Sequence, residues 1–94
     1  MAHLNAFAFE AILVADKPQS LTSSLFAPRD GVAQRAFITV EGDIRYRYDG
    51  GDPNSTLGHF CSNGSIVLNG EIQIKSFRAI SNDVATLQVS YERV

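Results

Sequence analysis

The stretch DIRYRYDGGDPNSTLGHF, residues 43–60, decides how the rest of the chain is read. Ile44, Tyr46 and Tyr48 alternate with Arg45 and Arg47. That period of two sends successive side chains to opposite faces of a strand. Asp49, Gly50, Gly51, Asp52 and Pro53 then break the alternation. Glycine supplies φ freedom, proline presets φ, and Asp and Asn side chains bond nearby backbone amides. The stretch therefore predicts a strand running into a long turn over residues 49–58, with Asp52 and Asn54 bonding the backbone. Ile44, Tyr46 and Tyr48 are expected in the core. Arg45 and Arg47 are expected on the opposite face.

The same period dominates on both sides. FAFEAILV (Phe7 to Val14) places Phe7, Phe9, Ala11 and Leu13 on one face. SLTSSLF places Leu21 and Leu25 together, and RAFITVEG sets Ala36, Ile38 and Val40 against Phe37, Thr39 and Glu41. APRDGVAQ (Ala27 to Gln34) reads as a loop, with room for one helical turn. In SIVLNGEIQI the Asn69-Gly70 pair predicts a hairpin with a type I′ turn. Beyond it the apolar phase slips between Ile74 and Phe77, which predicts a β-bulge near Lys75-Ser76. TLQVSYERV turns Leu87, Val89 and Tyr91 inward. These runs predict an all-β chain: an antiparallel sandwich of seven to eight strands, either immunoglobulin/fibronectin-III-like or jelly-roll-like. Ile44, Tyr46, Phe77, Leu87 and Val89 are its expected core.

Ninety-four residues predict a single domain, 1–94, and Met1 predicts a complete small gene product. Hydrophobic content of 45% and charged content of 19% are ordinary for a folded protein. A net charge of −2 gives no long-range attraction to nucleic acid or anionic lipid, so neither is an expected partner. No apolar run approaches the roughly 20 residues that span a bilayer, and the N-terminus lacks the basic start and long apolar core of a secretory signal. One cysteine, Cys61, excludes an intrachain disulfide and reads as a small, partly buried apolar residue.

Reaction chemistry is hard to assemble from what remains. His59 lies two residues from Cys61, a spacing that fixes no nucleophile–base geometry in a glycine-rich loop. His3 and His59 have no Cys or His partners at zinc spacing. Asp49 and Asp52 offer too few oxygens for calcium, which takes about six or seven. No carboxylate pair suited to glycoside hydrolysis stands out. The sequence predicts no catalytic residue, no metal and no cofactor, and hence no enzyme. NST (Asn54 to Thr56) and NGS (Asn63 to Ser65) match the glycosylation pattern and mark surface loops.

IRYRYDGGDPNSTLGHF, followed by IVLNGEIQIKSFRAIS, resembles a β-sandwich signature of small fibronectin-III-like modules associated with chitobiase and β-hexosaminidase. Those modules usually carry Thr where Arg47 stands, Ser for Gly51 and Thr for Asn54. The order R-Y-R-x-D-G, D-P, T-x-G-H, F-R-A-I and a last strand like ATLQVSYER looks more like short proteins of tailed bacteriophages and prophages, over roughly residues 36–93. The phage resemblance implies a virion structural protein made in the bacterial host cytoplasm. Its expected role is capsid cement or decoration, with the major capsid protein as partner and a homo-oligomeric state, a trimer by the same resemblance. A head–tail or tail-tube component is a close variant. The module resemblance implies a carbohydrate- or protein-binding domain instead. Expected interface residues are Phe7 and Phe9, on a terminal segment apolar on both phases, and Arg45 and Arg47, whose guanidinium forks suit acidic partner groups.

Overall fold

The computed structural model describes residues 4–27 and 32–94. Eight strands and two short helices are present: β1 (Asn5–Val14), β2 (Gln19–Ser20), α1 (Ser23–Phe26), β3 (Arg35–Glu41), β4 (Asp43–Arg47), β5 (His59–Ser62), β6 (Ser65–Asn69), α2 (Glu71–Ser76), β7 (Arg78–Ile80) and β8 (Ala85–Arg93). They form two four-stranded sheets, in the orders β1-β8-β3-β6 and β2-β7-β4-β5, with every pair antiparallel.

The pairing is nested. β4 pairs with β5, β3 with β6, β2 with β7 and β1 with β8, and the pairs alternate between the two sheets. A single long hairpin rolled up on itself gives this order, and that is the jelly roll. An immunoglobulin-type sandwich keeps its first two strands in one sheet. Here β1 and β2 lie in different sheets, which decides between the two kinds of sandwich the sequence allowed. The turn in residues 48–58 joins β4 to β5 and so forms the tip of the rolled hairpin.

One residue, Gly42, separates β3 from β4 and carries the chain from one sheet to the other. Its φ is +110°, and a Cβ there would lie 3.1 Å from the Ala85 Cβ and 3.2 Å from the Val84 carbonyl oxygen. Only glycine meets both demands without strain. Asn63, in the facing β5–β6 turn, locks the corner: the Gly42 N–H donates to its Oδ1 at 2.9 Å, and its own N–H donates to the Gly42 carbonyl at 2.9 Å.

The core lies between the sheets. Ile12, Val14, Ala36, Ile38, Val40, Ile44, Ile66, Leu68, Phe77, Ala79, Ala85, Leu87, Val89 and Tyr91 are all buried there. Of the five expected core residues, Ile44, Phe77, Leu87 and Val89 are fully buried. Tyr46 is half-buried and stacks on Phe77, with ring centroids 5.7 Å apart. Tyr48 lies past the end of β4 and is 42% exposed, so the alternation that predicted its burial outlasts the strand.

Four other local expectations change. First, β1 and β8 slip register between Ala6 and Ala8, so Phe7 does not share a face with Phe9. Phe7 and Ala8 both pack on the core, and from there Glu10, Ile12 and Val14 point inward while Phe9, Ala11 and Leu13 point out. Second, SLTSSLF is no strand: only Ser20 belongs to β2, and Ser23–Phe26 form α1, whose Leu25 and Phe26 amides donate to the Thr22 carbonyl. Third, Asn69-Gly70 makes no hairpin. Gly70 has the positive φ, +89°, that such a turn needs. The chain instead enters α2, where Ile74 N–H donates to the Gly70 carbonyl. That helix replaces the expected bulge, and a spacing of three keeps Ile74 and Phe77 both in the core. Fourth, β5 (His59–Ser62) occupies residues just beyond the expected turn over 49–58, where the sequence predicts a glycine-rich loop. Of the expected loop over Ala27 to Gln34, residues 28–31 lie outside the described residues, as does His3.

Candidate functional site

An apolar row crosses the outer face of the β1-β8-β3-β6 sheet. Phe9 is opposite Ser90, Ser90 opposite Phe37, and Phe37 opposite Val67, so the residues lie on one line across all four strands. Phe9 is 60% exposed, Phe37 42% and Val67 48%. The small Ser90 between them keeps the line low. Leu13, on the same face of β1, is also exposed. Polar pairs border the row on both sides. Arg35 Nε meets Glu92 Oε1 at 2.5 Å, and Gln88 Nε2 donates to Glu41 Oε1 at 2.9 Å. The Arg35 guanidinium holds the Glu92 carboxyl below its ordinary value. An apolar centre with a polar rim is the anatomy of a protein–protein contact.

Phe9 therefore sits on this face, while Phe7 sits apart with the Arg93 guanidinium 4.1 Å over its ring. Phe37 and Val67 were not among the expected interface residues. Their signal was present in Phe37, which alternates against Ala36, Ile38 and Val40, on the face that faces solvent.

Arg45 and Arg47 lie on the outer face of the other sheet, where they hold the β4–β5 turn. Arg45 donates through Nε to the Ser55 carbonyl and through Nη1 to the Gly58 carbonyl, each at 3.1 Å. Its guanidinium lies 5.5 Å from the Phe60 ring centroid. Arg47 makes a two-pronged contact with Asp49, through Nε at 3.0 Å and Nη2 at 2.6 Å. Arg47 is opposite Arg78 on β7, and like charges directly opposite each other repel. Asp49 and Asp52 answer that repulsion from the turn: Asp49 binds Arg47, and Asp52 lies 3.4 Å from Arg78 Nε. Both carboxylates face arginines. Asp49 also accepts the Gly51 N–H at 3.1 Å, and Asn54 Oδ1 accepts the amides of Thr56 and Leu57 at 2.9 and 2.8 Å. Asn54 thus bonds the backbone as expected, while Asp49 takes the role expected of Asp52.

Two clefts flank this hairpin. One, about 280 Å³, is lined by Arg47, Tyr48, Asp49 and His59. Tyr48 and His59 stack there, 5.8 Å apart, and His59 also leans on Tyr46 at 5.4 Å. The other, about 150 Å³, lies between Phe60, Arg45 and the β7–β8 turn. Cys61 is half-buried and packs against the core. Among the described residues no group of three or more His, Cys, Asp and Glu is placed to hold a metal ion. Among them, too, no helix is long and apolar enough to cross a membrane.

Comparison with known proteins returns no matching family model, no matching curated protein and no matching solved structure.

Proposed function

We propose that the chain is a virion structural protein of a tailed phage, a capsid cement or decoration protein that docks on the major capsid protein through the outer face of the β1-β8-β3-β6 sheet. The observation that carries the proposal is the Phe9–Ser90–Phe37–Val67 row with its bordering polar pairs. The jelly-roll strand order is compatible with it, because that architecture serves viral capsids as well as lectins.

The mechanism is mechanical. The protein adds buried apolar area across the seams of a shell under internal pressure. Four strands about 4.8 Å apart and up to ten residues long make a face of roughly 600 Å². A stable interface takes about 800 Å² from each partner. One copy alone therefore binds weakly, and a homo-oligomer, a trimer in this proposal, gains its hold by engaging several subunits at once. Among the described residues β1 is an edge strand of the same sheet, and an edge of this kind can pair with a neighbouring copy.

The test is co-sedimentation with shells lacking the protein, at micromolar concentration. Wild type should pellet with the shells. Phe9→Ser combined with Phe37→Ser should remain in the supernatant while keeping its fold, since both side chains are exposed. Wild type that fails to pellet rejects the role, and a double variant that pellets as well as wild type rejects the face.

A further inference from the structure

The smaller cleft lies on the opposite side of the sandwich from the apolar row. It has a composition that the turn architecture does not use up. Asp43, Arg45, Phe60, Asn82 and Asp83 all line it, together with Ser55. Phe60 is 60% exposed although it sits in a strand, opposite Arg45. The Arg45 guanidinium lies over one face of the ring, 5.5 Å from its centroid.

Around that ring, hydrogen-bonding groups remain free among the described residues. Arg45 uses Nε and Nη1 on carbonyls and leaves Nη2 open. Asp43 Oδ1 accepts from the Ser62 hydroxyl, and its Oδ2 has no partner. The Asn82 side-chain amide and the Asp83 carboxylate have none either. Asp83 is held from behind, because its N–H donates to Ser81 Oγ, which itself donates to the Asp43 carbonyl at 2.8 Å. The β7–β8 turn is thereby tied to β4, and the free groups line one cleft.

An exposed aromatic face beside planar amide, carboxylate and guanidinium groups matches one ligand chemistry closely. A pyranose ring offers a patch of axial C–H bonds to an aromatic ring and vicinal hydroxyls that both donate and accept. Carboxylates and an amide oxygen take the hydroxyl protons, while the guanidinium and the amide N–H₂ donate to the hydroxyl oxygens. A volume of about 150 Å³ falls below the roughly 300 Å³ at which pockets for larger organic ligands begin, so the cleft admits one ring and not a chain. Two carboxylates against one guanidinium disfavour an acidic sugar.

We propose that this cleft binds a single neutral or N-acetylated pyranose at the end of a glycan. The proposal does not rest on the capsid role, since the cleft and the apolar row belong to different sheets. A protein docked by one face keeps the other free.

The experiment is a two-dimensional amide NMR titration of the full chain with methyl glucoside, methyl galactoside, methyl mannoside and N-acetylglucosamine, each taken to about 10 mM, tenfold above a Kd of about 1 mM. At least one should shift the signals of Arg45, Phe60, Asn82 and Asp83 in a saturable way. Phe60→Ala and Asn82→Ala change exposed positions, and each should weaken that sugar's binding about tenfold while leaving the remaining spectrum in place. If no sugar in the set shifts these signals, the proposal fails. Binding that survives both substitutions, or that shifts Tyr48 and His59 instead, also overturns it.

Discussion

Glu10 is a charged residue on the inward face of β1, and its replacement tests how the roll is closed. The Tyr91 hydroxyl donates to Glu10 Oε2 at 2.5 Å, the Thr22 hydroxyl donates to Oε1 at 2.6 Å, and the Thr22 N–H donates to Oε2 at 3.2 Å. One carboxylate thus joins the first strand, the last strand and the start of α1. Tyr91 is fully buried, and burial together with the Glu10 carboxylate pushes its phenol well above the ordinary value. A hydrogen bond to a charged group contributes about 1.5–3 kcal/mol net. Glu10 is only half-buried and keeps both Thr22 donors, so Tyr91→Phe should cost about 1.5 kcal/mol, at the low end of that range. Glu10→Ala removes all three contacts and strands a buried hydroxyl, which should cost about 3 kcal/mol. The two changes share one bond, so the double variant should lose about 1.5 kcal/mol less than the sum. Urea unfolding with unchanged slope measures each value, and in a domain of this size Tyr91→Phe should lower Tm by about 6–12 °C. A coupling below about 0.3 kcal/mol would refute the reasoning, because the carboxylate would then hold neither Tyr91 nor the closing strand pair.

Asp49 is held at about 2, against an ordinary 3.8, first by the Arg47 guanidinium and then by the Gly51 N–H. Folding lowers its pKa, so its contribution is complete above the unfolded value and is lost as pH falls through the folded one. Asp49→Asn should be less stable than wild type at neutral pH, and the two should converge as pH falls from about 4 to about 2. A constant gap down to the lower limit would show that the ion pair is not the cause. Gly42→Ala should cost about 2 kcal/mol, from positive φ and from crowding on Ala85. Gly50→Ala meets nothing within 4 Å at a similar φ and should cost about half as much; equal losses would remove the crowding argument. Arg45→Ala breaks two bonds to turn carbonyls and should cost about 1–1.5 kcal/mol, more than the roughly 0.5 kcal/mol typical of a surface residue. A smaller loss in chemical denaturation would mean that the turn holds its shape without the guanidinium.

The sandwich was legible because alternation survives in the strands that carry the core. β3 and β8 keep a strict period of two, and every inward residue the pattern named there is buried. The failures occur where two periods agree or where local chemistry has two outcomes. Leu21 and Leu25 are four apart, a spacing that suits one face of a strand and one face of a helix equally well. The positive φ of Gly70 was correctly implied by Asn69-Gly70, yet it opens a helix. Ile74 and Phe77, three residues apart, are both buried, a spacing that a bulged strand and a helical turn accommodate equally well, and here the chain takes the helical turn. Tyr48 shows the reverse error, since an alternating residue needs a paired neighbour to be buried and β4 ends before it.

The candidate surface was less legible than the core, because it is a product of register. Phe9, Phe37 and Val67 belong to strands far apart in the chain, and alternation states which face each occupies without stating which residues meet. Nested pairing makes them meet: β1 on β8, β8 on β3 and β3 on β6 bring them to one line with Ser90. The bulge between Ala6 and Ala8 is equally decisive. Without that extra residue Phe7 would share the outer face with Phe9, and the aromatic surface would extend to the end of β1. With it, Phe7 closes the core beneath Arg93 and the exposed row stays confined between the Arg35–Glu92 and Glu41–Gln88 pairs. A row so bounded can be satisfied by a partner of matching width while the polar pairs at its borders remain hydrated. A bare apolar sheet would instead invite indiscriminate stacking.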